Sequence, residues 1–176
     1  MGQAIVGVVA RGGSTVELLG RADAAMPVTG DIVVLAVPYP AVADVLTWRA
    51  DELSGKIVVD ITNPLDFVVP ADSSAAAEIA ASLPRSRVFK AFNTTFAATL
   101  LSGVVEEAEL PTTVLIVGDD ADAKSLLADV VTAGGLRAVD AGSLKRAREL
   151  EALGFLQLTL AAGEKIPWTG GFGVVG

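Results

Sequence analysis

The chain has 176 residues, enough for one domain with a sizeable core, and its 52 % hydrophobic content argues against disorder. A formal net charge of −8 argues against nucleic acid or an anionic membrane, which need a basic face, so neither partner is expected. With no cysteine and no histidine, disulfides, thiolate chemistry, the usual general base and the commonest metal ligand are all missing. No metal site or acyl-transfer triad is expected, and the chemistry is assigned to a bound cofactor. No apolar run reaches the roughly 18 residues of a membrane span, and the start lacks a basic, signal-like region, so a cytoplasmic location is expected.

The opening stretch "MGQAIVGVVARGG" (1–13) admits two readings. In one, residues 3–11 form a helix, Gly12–Gly13 its exit and 15–19 a strand ending near Arg21. In the other, "AIVGVV" (4–9) is the first strand, "ARGGS" a glycine loop, and Ser14 with Glu17 caps a helix over 15–25. In a dinucleotide fold the end of the second strand faces the adenosine ribose, where an arginine accommodates a 2′-phosphate; in the first register Arg21 therefore selects NADP over NAD.

Further along, "DIVVLAV" (31–37), "KIVVDIT" (56–62), "RVFKAF" (87–92), "TTVLIVG" (112–118) and "LRAVDA" (136–141) are short, nearly continuous apolar runs. Such runs read as strands buried on both faces of a parallel sheet. Between them lie helical segments at 41–53, 73–83, 121–133 and 145–162, with Asp72 or Ser73 expected to cap the second and the Asp119–Asp120 pair the third. The alternation gives a Rossmann-like, doubly wound α/β fold with a mainly parallel sheet. It is read as a single domain, 1–176, in which 143–176 forms a C-terminal helical extension and Gly-rich tail.

Ligands of such sheets lie outside the carboxyl ends of the strands, which directs attention to "PYP" (38–40), "NPLD" (63–66), "NTTFA" (93–97) and "GDD" (118–120). Ala36, Val37 and Pro38 are placed to approach a nicotinamide or its ribose, and Pro64 stops the preceding strand sharply at Asn63. Asn93 and Thr94 are candidates to touch the redox end or the substrate, although Thr94 or Thr95 would serve equally as a helix cap. Tyr39, the single tyrosine, could donate a proton. Trp168 and Gly170–Gly171 suit a turn or a pocket lining, and Glu106–Glu107 suits a solvated loop.

Six stretches in series, "AVPYPAV", "GKIVVDITNPLD", "VPADSSAA", "KAFNTTFA", "LKRARELEALGF" and "WTGGF", resemble the deazaflavin (coenzyme F420)-dependent NADP oxidoreductase family over nearly the whole chain. Among its members, small bacterial NADPH-dependent reductases are the most alike. The resemblance implies an NADP-binding Rossmann domain that passes a hydride between NADP(H) and a deazaflavin or flavin, or a small carbonyl or imine. "MGQAI" matches the tail of the family's G-x-G-N-M-G-Q-A-I loop, with Gly2 as its packing glycine. On that mapping the first strand and first two phosphate-loop glycines are absent, and a shorter loop follows Phe67. Weak cofactor binding, or a degenerate NADP-binding module, is the alternative this raises. The implied cofactor residues are Gly2, Gln3, Arg21, Ala36, Val37, Pro38, Asn63, Pro64 and Ala91; Tyr39, Asn93 and Thr94 would meet the substrate. A homodimer formed through an apolar face at 145–162 is also expected.

Overall fold

The computed structural model describes residues 1–65, 69–70, 72–105 and 109–175. Asp66, Phe67 and the Glu106–Glu107 pair, singled out above, lie outside the described residues.

The chain opens with helix α1 (Gly2–Arg11), in which Ala4, Ile5 and Val8 fall on one buried stripe. That spacing excludes the reading of 4–9 as a strand. Strand β1 (Ile32–Leu35) follows, then α2 (Tyr39–Arg49), β2 (Ile57–Asp60), α3 (Ala75–Ser82), β3 (Arg87–Lys90) and α4 (Ala97–Ser102). A two-residue hairpin, β4 (Val104–Val105) with β5 (Leu110–Pro111), precedes β6 (Thr113–Gly118), α5 (Ala121–Ala133), β7 (Arg137–Gly142) and α6 (Ala147–Ala162).

The main sheet has the order β1-β2-β3-β6-β7 and is parallel except where β6 runs against β3. One face carries α1, α4 and α5 over a core that includes Val8, Phe89, Leu100, Ile116 and Leu127. The other carries α2, α3 and α6 over Leu46, Val58, Ile79, Ala147 and Leu150. Both faces are covered, as near-continuous apolar strands require.

Several boundaries differ from expectation for identifiable reasons. Helix α2 starts at Tyr39, because Pro40 is tolerated in a first turn that needs no amide partner, and it ends at Arg49. The cap of α3 is Ser74, whose hydroxyl accepts from Ala77 N at 3.0 Å; Ser73 donates instead to Glu78 at 2.6 Å. Asp120 caps α5 as expected, accepting from Ala123 N at 2.9 Å, whereas Asp119 accepts from Leu144 N. Thr94 and Thr95 do not cap α4: its N-cap is Phe96, and Thr95 Oγ1 donates to Phe92 O at 2.7 Å.

Residues 14–20 form no strand, and no helix spans 15–25; a 3₁₀ turn at Arg21–Asp23 is all the regular structure there. A strand needs a neighbour for its amides and carbonyls, and 14–20 has none although β1 is an edge strand. Among the described residues no helix is long and apolar enough to cross a membrane.

Candidate active site at the strand ends

Parallel pairing of β1, β2 and β3 brings three turns to one end of the sheet: 36–38, 61–65 and 91–95. The N-terminus of α1 reaches the same end. A Cβ built on Gly2 would lie 3.2 Å from Ala36 Cβ, so the helix start and the strand end are in near contact. The first turn of α1 has no acidic residue and no side-chain cap, so no carboxylate competes for its amides. Gln3, Ala36 and Pro38 are exposed beside it, with Gly2 and Val37 half-buried.

The second and third turns interlock. Asn63 Nδ2 donates to Asn93 O at 3.1 Å, and Asn93 Nδ2 donates to Asn63 Oδ1 at 3.0 Å and to Leu150 O at 2.8 Å. Helix α6 comes close enough for this only because residue 154 is glycine: a Cβ there would sit 2.7 Å from Asn63 Oδ1 and 2.8 Å from Asn93 O. Ahead of Asn93, buried Phe92 takes φ 63°, a left-handed conformation uncommon for a bulky side chain. Its carbonyl is held by both Thr95 N and Thr95 Oγ1. Ala91, Asn93 and Thr94 are all buried. Thr62 Oγ1 and Asn93 Oδ1 are buried without a hydrogen-bond partner, so this end of the site retains polar capacity.

Between the second turn and α6 opens a pocket of about 300 Å³ lined by Asn63, Pro64, Leu65, Val69, Glu151, Ala152 and Phe155. Its walls are mostly apolar, with half-exposed Leu65 and Phe155 at its rim. Among the described lining residues Glu151 alone is ionisable. Tyr39 packs on the α2–α3 side of the sheet, where burial raises its phenol above the ordinary 10.0, assisted by Glu78, Glu151 and Asp60.

One sequence-derived motif does not join this site. "GDD" follows β6, and because β6 is antiparallel to β3, Gly118 lies beside Phe89 and the turn points to the opposite end of the sheet. Arg21 opens the exposed 3₁₀ turn, which is tied to α2 through Arg49 bonding to Asp23 O and Met26 O. The reversal of β6 instead delivers Thr112 and Thr113, missed in the sequence, to a water-sized void with Thr94, Thr95 and Gln157. In the tail, Trp168 rests on Phe96 with ring centroids 4.9 Å apart.

A helix N-terminus abutting the carboxyl ends of a parallel α/β sheet is the architecture of the dinucleotide-binding folds. Residues 1–64 match the family model described as NADP oxidoreductase, coenzyme F420-dependent. An F420-dependent NADP reductase of Methanocaldococcus jannaschii is 29 % identical over 170 residues, covering 90 % of this chain and 74 % of that protein. The F420-dependent NADP reductase of Methanothermobacter thermautotrophicus is 30 % identical over 168 residues, covering 89 % and 70 %. A crystal structure of a candidate F420-dependent NADP-reductase from Arthrobacter sp. FB24 superposes with a TM-score of 0.71 at 27 % identity, covering 84 % of this chain and 70 % of that one. The chain belongs to the coenzyme F420-dependent NADP oxidoreductase family and is an oxidoreductase.

Proposed function

We propose that this protein transfers a hydride between NADP(H), laid along the ends of β1, β2 and β3, and a deazaflavin or flavin-like acceptor in the pocket beside α6. The observation that carries the reading is the shared turn at Asn63–Pro64. It borders the cofactor ledge on one side and forms a wall of the 300 Å³ pocket on the other. Bound there, the nicotinamide supplies or receives the hydride. The protein's own part is binding and orientation.

The uncapped amides at Gly2 and Gln3 would meet the pyrophosphate, free of any nearby first-turn carboxylate. Ala36, Val37 and Pro38 would lie along the nicotinamide ribose, with Pro64 on the far side and fully buried Ala91 forming the floor behind it. The reciprocal Asn63–Asn93 bonds hold the two turns at a fixed separation, and that separation sets where donor and acceptor rings meet. Thr94, buried directly after Asn93, would meet the acceptor from the neighbouring void that it lines with Thr95 and Gln157. Arg21 is assigned to the 2′-phosphate on the strength of its charge and its exposed turn. Tyr39 is a reserve of one proton at the edge of this ground, and its raised pKa keeps that proton in place at neutral pH.

A carbonyl or imine acceptor needs a proton donor in reach; Glu151 has both oxygens engaged by protein donors, and Tyr39 is not among the pocket's lining residues. This favours a flavin-like ring, which can stack on Phe155, as the acceptor. Loss of reduced-nicotinamide absorbance should be followed with NADPH and, in turn, a 5-deazaflavin, riboflavin phosphate and a small cyclic imine. Saturable turnover with the deazaflavin or flavin and none with the imine is expected. Turnover with the imine alone would refute the acceptor assignment.

A further inference from the structure

Strand β2 is buried throughout and β3 from Val88 onward, yet each ends in a charged residue. Asp60 and Lys90 are register neighbours across the parallel pair, and both side chains are 0 % exposed. Lys90 Nζ donates to Asp60 Oδ2 at 2.7 Å, to Thr62 O at 2.6 Å, and meets Glu151 Oε1 at 3.0 Å. Three ammonium protons thus have three acceptors, on a strand, on the turn after it, and on α6. The carboxylates are equally committed. Asp60 Oδ1 accepts from Thr62 N at 2.8 Å, while Glu151 accepts from Ala75 N at 3.0 Å and Ala76 N at 3.3 Å in the first turn of α3.

A buried ion cluster of this kind is seldom more stable than a well-packed apolar replacement, but breaking it from one side is costly. What it supplies here is geometry. Lys90 grips the 60–62 backbone just before Asn63, and Glu151, one turn of α6 before Phe155, lines the pocket. The cluster is therefore a strut between the turn bordering the cofactor ledge and the helix that walls the acceptor's pocket.

We propose that Lys90 and Glu151 are positioning residues for the acceptor, setting the distance of α6 from the 61–64 turn without touching the reacting atoms. The inference rests on the pocket being the acceptor's seat, as argued above. A direct acid–base role for Glu151 is disfavoured because three protein donors already occupy its two oxygens.

The test is Glu151→Gln in the full chain. The amide keeps the length and one oxygen acceptor but removes the charge facing Lys90. The acceptor KM should rise about tenfold, the scale of one lost charge-assisted hydrogen bond, while the NADPH dissociation constant changes by less than about twofold. If Glu151→Gln does not fold, Glu151→Asp, which keeps the charge and shortens the reach, is read on the same two constants with the same expectation. A folded variant with both constants unchanged overturns the proposal, as does an equal loss in both, which general loosening would give. A wild-type protein that binds NADPH but no deazaflavin or flavin refutes the pocket assignment itself, and this inference falls with it.

Discussion

Replacing Gly154 by alanine sets two effects of opposite sign against each other. In an unhindered helix interior alanine is better than glycine by about 1 kcal/mol, so propensity alone predicts a more stable α6. The surroundings argue otherwise. The new Cβ would lie 2.7 Å from Asn63 Oδ1, 3.0 Å from Asn63 Nδ2 and 2.8 Å from the backbone oxygen of Asn93. A backbone carbonyl in a turn this constrained cannot step aside, so α6 must move out or the Asn63–Asn93 bonds must break. Overpacking costs about 1–3 kcal/mol, and each lost hydrogen bond adds about 1 kcal/mol. The balance is a net loss of about 2 kcal/mol, or a fall in Tm of about 4–8 °C for a chain of this size. Differential scanning calorimetry of the two proteins measures it directly. A Tm equal to or above that of the parent would refute the claim that Gly154 exists to seat α6 on the two asparagines.

Three further outcomes are expected. Arg11 donates to Leu100 O at 2.9 Å and Gly134 O at 3.2 Å, stapling α1 to the ends of α4 and α5, so Arg11→Ala should cost about 1–3 kcal/mol in urea unfolding; an unchanged midpoint would contradict this. Gly118→Ala would drive a methyl to 2.1 Å from the fully buried Phe89 ring and should leave little soluble folded protein, whereas normal yield and Tm would show that the strand can shift. The chain's single tyrosine should titrate above 10 in the folded state, followed by ultraviolet tyrosinate absorbance with circular dichroism as the check on folding. Because the folded pKa is the raised one, Tyr39's contribution to stability is complete below the unfolded value near 10 and is lost as pH climbs through the higher folded value. A midpoint below 10 would contradict the burial of Tyr39.

The fold was largely legible because strands buried on both faces announce themselves as apolar runs, and because Asp120 and Pro38 mark helix starts by simple chemistry. Strand direction was not. Nothing in "TTVLIVG" says that β6 runs against β3, and that reversal moved "GDD" away from the site and brought Thr112 and Thr113 near it. Residues 15–19 have a composition that suits a strand and form none, because the pairing partner, not the composition, decides. The Lys90 cluster left a readable trace: Asp60 and Lys90 interrupt runs otherwise apolar on both faces, and buried opposite charges require each other. Glu151 could not be added to them from sequence, since it looks like any helix-surface glutamate until α6 is docked on α3.

The ledge formed by the α1 N-terminus and the ends of β1–β3 is proposed to hold NADP(H), with Arg21 on the 2′-phosphate. Calorimetric titration of the protein with NADPH and with NADH, repeated on Arg21→Ala, tests it most directly. Saturable NADPH binding, much weaker NADH binding, and a variant that loses most of its preference while still folding are expected. Absence of binding at millimolar NADPH, or equal loss of both cofactors in the variant, would contradict it.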